Sequence, residues 1–420
     1  MPSASEPVTG AREDLALWRR NLIALTAAVF IGFTGFTLVM PFLPIYIGQM
    51  GVTDPGEIAA WTGVTLGVTP AMTALFSPLW GRLADRFGRR FMVARSLVSF
   101  VFIMAAMGFA REPWHLFALR VLQGFFAGYG ALTLAMAAES APPGRLAQSI
   151  GTVQTAQRLG PALGPVIGGL IAGLVGLRGT FLVTAVFYAA AFVLVLALYR
   201  EPGRTAEPAR SDGEGGQVTF RSVMAFENFL LLMAVIFGLQ FVDRSFGPVL
   251  PLVIARPGLS GTDVALQSGL VFSTIACAAA LGHHISARLL RQWSGRVVIS
   301  RAAIVAAAAT LGITLSPGVW WIGLWAGIFG VAIGVAMTAS YTAAANSFPG
   351  NVRATGFGFL TSASLVGIAV SPMVAGALAR VGMRTIFYVN VVMLVALGAL
   401  VRRTMTDEPG EMAAPTVEDT

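Results

Sequence analysis

The sequence predicts an all-α polytopic membrane protein, twelve transmembrane helices in two pseudo-symmetric six-helix halves, and three observations predict it. The 420 residues are 56% hydrophobic and 11% charged, with a mean hydropathy of +0.75, where a soluble domain carries about 25% charged residues. Apolar runs recur at the length a helix needs to cross hydrocarbon, about 20 residues, and the backbone of such a run must satisfy its hydrogen bonds within the span. Two patterns also repeat in the same order at one spacing. PFLPIYI begins at Pro41 and PVLPLVI at Pro248 (248 − 41 = 207); GPALGPVIGG begins at Gly160 and GIAVSPMVAG at Gly367 (367 − 160 = 207).

Reading the apolar runs between charges and Gly/Pro breaks places helices at 22–47, 58–80, 91–110, 114–138, 149–175, 180–199, 228–255, 264–287, 297–315, 319–343, 355–378 and 386–401. The chain then divides into an N-terminal tail (1–21), a first half (22–199), a linker (200–227), a second half (228–401) and a C-terminal tail (402–420). The linker contains EPGRTAEPARSDGEGGQ, rich in Pro, Gly and charge and without hydrophobic periodicity. The polar first residues end in Trp18-Arg19-Arg20, and the run after them is too long for a signal-peptide core, so the first span is retained.

Arginine distribution sets the orientation. Arg111, Arg178, Arg256, Arg380 and Arg384 fall on one face, Arg120, Arg158 and Arg244 within spans, and the rest on the face with both termini, which is therefore cytoplasmic. The net charge of +8 thus marks topology rather than a nucleic-acid surface, because the arginines sit in short loops and build no single basic face. The single Cys277 allows no disulfide framework, His283-His284 lacks a third ligand at metal spacing, and no phosphate-binding loop indicates ATP. No metal or cofactor is expected. An enzyme would need a cluster of acid, base or nucleophile, and the deep ionisable residues identified are Asp243 and three arginines.

Four stretches carry mechanism. The loop after span two reads GRLADRFGRR, residues 81–90: Gly81 and Gly88 allow tight turns, Arg86 and Arg89 hold the loop to the cytoplasm, and Asp85 can accept from arginines or a helix N-terminus, which makes a breakable latch. Span five has Gly160, Gly164 and Gly168 along one face, permitting close helix contact, with Pro161 and Pro165 favouring a kink. Span four carries Arg120, then Gln123 and Gly124; a charge there costs at least about 2.5–3.5 kcal/mol, so it faces a cavity or a partner. Span seven carries FVDRSFGP. Asp243 is the one acid near mid-span and can take up and release a proton as access alternates, or else serves as a structural charge with fixed partners. Arg244 points about 100° away around the helix, which favours pairing across the bundle over pairing with Asp243.

These residues resemble a known family. GRLADRFGRR is similar to the signature loop between spans two and three of the major facilitator superfamily, whose parallel six-span halves bind substrate between them. The resemblance implies that Asp85, Arg86, Gly88 and Arg89 steady the outward-open state; the corresponding ARLLRQWSGR, residues 287–296, lacks the acid. The Gly/Pro pattern of span five is similar to the exporter motif, and Arg120, Gln123 and Gly124 resemble the span-four motif of drug:proton antiporters, whose Arg is linked to proton transfer. MPFLPIYI resembles the first span of twelve-span multidrug exporters. Many such antiporters carry an acid in span one; FIGFTGFTLVMPFLP has none, which moves the proton site to the second half.

The expectation is a multidrug efflux antiporter of the bacterial cytoplasmic membrane, a monomer whose partners are protons, lipid and a small-molecule substrate. Phe33, Gln123, Phe126, Arg158, Gln240, Arg244 and Tyr341 are candidates for the substrate cavity, because aromatic surfaces can re-pack around varied amphipathic compounds. Arg158 and Gln154 either line the cavity or bind backbone carbonyls. The alternative is a metabolite or organic-anion transporter of the same fold, with Arg120, Arg158 and Arg244 on the substrate charge.

Overall fold

A computed structural model describes residues 6–142, 144–201, 228–347 and 353–406, with the backbone alone at 6–14 and 353–355. The described residues form helices α1 (Glu6–Leu38), α2 (Leu43–Gly48), α3 (Pro55–Phe87), α4 (Arg89–Gly108), α5 (Pro113–Phe126), α6 (Tyr129–Glu139), α7 (Leu146–Leu198), α8 (Phe229–Ile254), α9 (Gly261–Leu289), α10 (Gly295–Leu315), α11 (Val319–Ser347), α12 (Arg353–Ala379) and α13 (Thr385–Thr404).

Local chemistry sets several of the boundaries. Asp54 caps α3 by accepting from the Glu57 amide at 2.7 Å, with Pro55 in the first helical position. Gly88 has φ +92° and ψ 141°, a conformation open to glycine, and turns the chain from α3 into α4. Glu112 and His115 form a reciprocal cap at the start of α5.

The twelve expected spans correspond to these helices with four differences. Span one, expected to run through residue 47, ends as α1 at Leu38 and resumes after a turn as α2. Span five and span six are one helix, α7, interrupted only where Gly176 takes φ +75° and ψ 172°. Pro161 and Pro165 lie inside its continuous part, so the kink expected there does not break the helix. Span four is two helices, α5 and α6, parted at Ala127–Gly128, where Gly128 has φ +109°. The expected N-terminal tail is helical from Glu6 and continuous with span one. Most of the linker, 202–227, and the tail beyond 406 lie outside the described residues.

The helices group into two compact units. In the first, formed by the chain through α7 with residues 245–273 and 369–383, the glycine face of span five seats on α1. A Cβ at Gly160 would stand 2.9 Å from the Thr34 amide nitrogen, and one at Gly164 2.8 Å from the Thr34 carbonyl oxygen. The same device recurs at Gly169, where a Cβ would lie 2.6 Å from Leu266 Cα, and at Gly376, 2.9 Å from Ala60 Cα. Such stripes let helices meet backbone to backbone, the contact that replaces hydrophobic drive inside lipid. In the second unit α10 packs between α11 and α13, and Ser300 Oγ donates to the Gly398 carbonyl at 2.9 Å.

The repeat extends to individual hydrogen bonds. Asn21 Nδ2 donates to the Arg200 carbonyl at 2.7 Å and its Oδ1 accepts from the Arg200 amide at 2.9 Å. Asn228 (228 − 21 = 207) does the same with Thr406, donating to its hydroxyl at 3.0 Å and accepting from its amide at 3.2 Å. Arg90 reaches the Leu196 carbonyl at 2.8 Å, and Arg296 (296 − 90 = 206) the Arg402 carbonyl at 2.8 Å. The degenerate loop of the second half has therefore kept the arginine that fastens it to the last span.

Candidate functional site

Arg120 sits on α5 with 2% of its surface exposed. Its Nη1 donates to Gln123 Oε1 at 2.9 Å, its guanidinium lies 5.9 Å from the centroid of Phe36, and its backbone carbonyl accepts from Thr69 Oγ1 at 3.0 Å. No carboxylate pairs with it among the described residues. Arg120 Nη2 and Gln123 Nε2, both buried, have no hydrogen-bond partner there. Tyr188, whose hydroxyl donates to the Gly32 carbonyl at 2.9 Å, lies within electrostatic reach of the guanidinium. The first unit thus holds a buried cation whose described contacts are all with neutral groups and whose Nη2 is left unmet among the described residues.

Below it the chain breaks, and side chains cap the exposed end of α5. The Gly124 carbonyl accepts from Thr73 Oγ1 at 3.4 Å, that of Phe125 from Trp80 Nε1 at 2.5 Å and that of Phe126 from Arg95 Nη2 at 3.0 Å. The Arg95 guanidinium also lies 3.6 Å from the Trp80 ring centroid. A cation at a helix C-terminus complements the dipole, and an orphaned carbonyl in a membrane is costly. Arg95 is a residue the sequence reading passed over by assigning it to the cytoplasmic face. Its place inside the expected span 91–110 was the available signal. On the far side of the break, Gln157 Nε2 donates to the Gly130 carbonyl at 3.0 Å.

Asp243 and Arg244 correct another expectation. The two adjacent side chains contact each other, Arg244 Nε to Asp243 Oδ2 at 3.2 Å, with 35% and 21% of the side chains exposed. The Nε atom is not aligned as a hydrogen-bond donor, so the contact is Coulombic. Long side chains can swing back along the helix and cancel the 100° separation of their Cα positions. One helical turn away, Gln240 Nε2 donates to Ser364 Oγ at 2.8 Å.

Residues 81–90, expected as a loop with turns at Gly81 and Gly88, are helical except at Gly88, with Gly81 inside α3; Arg89 pairs with Glu139 at 2.5 Å, while Asp85 is exposed and makes no hydrogen bond or ion pair among the described residues. Arg86 lies 5.4 Å from the centroid of the neighbouring Phe87 ring, and a Cβ at Gly81 would meet nothing within 4 Å. Arg158 and Gln154 are exposed and bind no carbonyl; their neighbour Gln157 does.

The aromatic candidates are distributed over both units. Phe33 meets Tyr129 at 5.7 Å between centroids, Phe126 meets Phe125 at 5.0 Å, and Tyr341 stacks on Phe357 at 6.2 Å with 7° between planes. His283 Nδ1 lies 2.7 Å from Thr338 Oγ1, and no group of three metal-ligating side chains occurs among the described residues.

Comparison with known proteins agrees with this architecture. The family model described as Major Facilitator Superfamily matches residues 25–329 and 303–419. The multidrug resistance protein MdtG of Rahnella sp. (strain Y9602) is 30% identical over 279 residues, covering 66% of this chain and 67% of that protein. MdtG of Citrobacter koseri is 28% identical over 374 residues, covering 89% and 92%. Among solved structures, an inward-facing, unoccupied bacterial homologue of the human lysosomal transporter Spinster superposes with a TM-score of 0.78 at 18% identity, covering 96% and 98% of the two chains. The chain belongs to the Major Facilitator Superfamily.

Proposed function

We propose that this protein exports small amphipathic compounds in exchange for protons by alternating access, as a monomer in a bacterial cytoplasmic membrane with both termini inside. The observation that carries the reading is Asp243. Of the described acids that lie in helices, Glu6, Glu57, Asp85, Glu139 and Asp263 occupy first or last turns and Glu13 and Asp14 precede the apolar part of α1, which begins at Leu15; Asp243 alone lies in the interior of an apolar span. Its one ionic contact among the described residues is with Arg244, partly exposed and poorly aligned, so its proton can come and go without dismantling a network of described residues. The MdtG relatives, which are multidrug resistance proteins by name, support the efflux direction.

In this reading Asp243 carries the proton. Arg120, and beside it Arg158, tune its affinity or hold anionic groups of the substrate, and Phe33, Gln123, Phe126, Gln240, Arg244 and Tyr341 contact substrate. The 81–90 loop latches one state; an unpaired Asp85 fits the released form. Gly160, Pro161, Gly164 and Pro165 give span five its close, sliding seat. A second reading, an organic-anion transporter, is favoured by the unpartnered Arg120 Nη2.

Inside-out vesicles with an acid interior separate these readings. Lipophilic compounds added outside release luminal protons from wild type and not from Asp243→Asn under the antiport reading. Release by both removes Asp243 from the coupling path. Silence with lipophilic cations, but proton movement with organic acids, selects the second reading.

A further inference from the structure

The two halves compensate their cytoplasmic-side arginines differently. In the first half Glu139 pairs with Arg89, Asp85 lies in the same loop, and Glu201 Oε1 stands 3.6 Å from where a Cβ on Gly88 would lie. At the repeat spacing of 206, Asp85 becomes Arg291 (85 + 206) and Glu139 becomes Ala345 (139 + 206). From Val264 through Thr406 the sequence has nine arginines and no acid.

Seven of those arginines lie on the face that carries the C-terminus, and several are gathered by the fold. Arg296 Nε donates to the Arg402 carbonyl at 2.8 Å, which draws the start of α10 against the end of α13. Arg301 lies 4.7 Å from the centroid of Trp293, an indole with 44% of its surface exposed at the α9–α10 turn. Arg288, Arg291, Arg402 and Arg403 are exposed and have no ion pair among the described residues. Exposed arginines on elements that the Arg296 contact draws together attract a counter-charge. An exposed tryptophan next to them places the patch at the depth of lipid headgroups, and guanidinium groups match phosphate oxygens in pairs.

We propose that this patch, Arg291, Trp293, Arg402 and Arg403, binds the phosphate of an anionic phospholipid of the cytoplasmic leaflet. The assignment rests on the orientation proposed above. The competing counter-charge is the chain's own tail, which carries five acids between Asp407 and Asp419.

The test offers the detergent-purified full chain an equal mixture of phosphatidylglycerol and phosphatidylcholine and reads retained lipid by native mass spectrometry. Each arginine at a membrane surface contributes roughly fivefold to affinity. Wild type should therefore retain phosphatidylglycerol selectively, Arg291→Gln or Arg403→Gln should weaken it roughly fivefold, and Arg291→Gln/Arg402→Gln/Arg403→Gln on the order of 100-fold. Arg380→Gln/Arg384→Gln, on the opposite face, should retain it, and a chain ending at Thr406 should bind at least as well. Equal retention by wild type and the triple variant overturns the proposal; so does selectivity that appears only when the tail is removed, which would make the tail the occupant. The single variants keep the test open if the triple fails to fold. Binding is read without transport, and labelling of a cysteine placed at the C-terminus checks the orientation separately.

Discussion

Replacing Gly168 with alanine tests whether the glycine face of α7 is a backbone-to-backbone seat. The added Cβ would collide first with the Leu38 carbonyl oxygen and would stand 2.9 Å from the Leu38 carbonyl carbon and 3.0 Å from Leu38 Cγ, where carbon atoms prefer about 3.5–4.0 Å. The helices must part by roughly an ångström or more. Overpacking of this kind costs about 1–3 kcal/mol, offset by the ~0.5–1 kcal/mol that alanine gains over glycine inside a helix. The control is Gly173, in the same helix, where a Cβ meets nothing within 4 Å; alanine there gains helix propensity without collision. Reversible unfolding in mixed dodecylsulfate and maltoside micelles should separate the two variants by about 2 kcal/mol, roughly 30-fold in the unfolding constant. If Gly168→Ala is as stable as Gly173→Ala, α1 and α7 do not meet as described and the reasoning fails.

Three further outcomes follow from the same geometry. Arg95→Ala orphans the Phe126 carbonyl and should lose about 1–3 kcal/mol in the same unfolding assay, with Arg95→Lys recovering part of it. Gly88→Ala forces a side chain into φ +92° and should cost roughly 1–3 kcal/mol. Arg89→Glu and Glu139→Arg should each change stability by less than about 1 kcal/mol, because the pair is 31% and 45% exposed, yet each should slow substrate counterflow; the double swap should restore it.

The sequence showed the spans because apolar length is a one-dimensional property, although polar helical extensions such as residues 6–21 and 81–87 lie outside what apolar length reveals. The glycine stripe of span five was equally legible, since residues four apart share a helix face whatever the partner. Arg95 and the break at Ala127–Gly128 were not. Both depend on which neighbour reaches a freed carbonyl, a contact between residues 31 positions apart that no periodicity encodes. The Asp243–Arg244 contact was misjudged for a different reason: helical angles describe Cα positions, while long side chains reach around them. Arg120 was legible as deep and Gln123, one turn on in the same helix, as its companion, but Phe36 and Tyr188 were not, because they come from two other helices.

The paired asparagines have an evolutionary consequence. Asn21 and Asn228 each tie the chain where it begins its first span to the chain where it leaves its sixth, so each half closes on itself at one corner of one face. A gene encoding such a half can be copied in tandem with each copy keeping its own closing contact. By the same logic, cutting the tether between residues 202 and 227 should leave two fragments that can be co-expressed and still find each other.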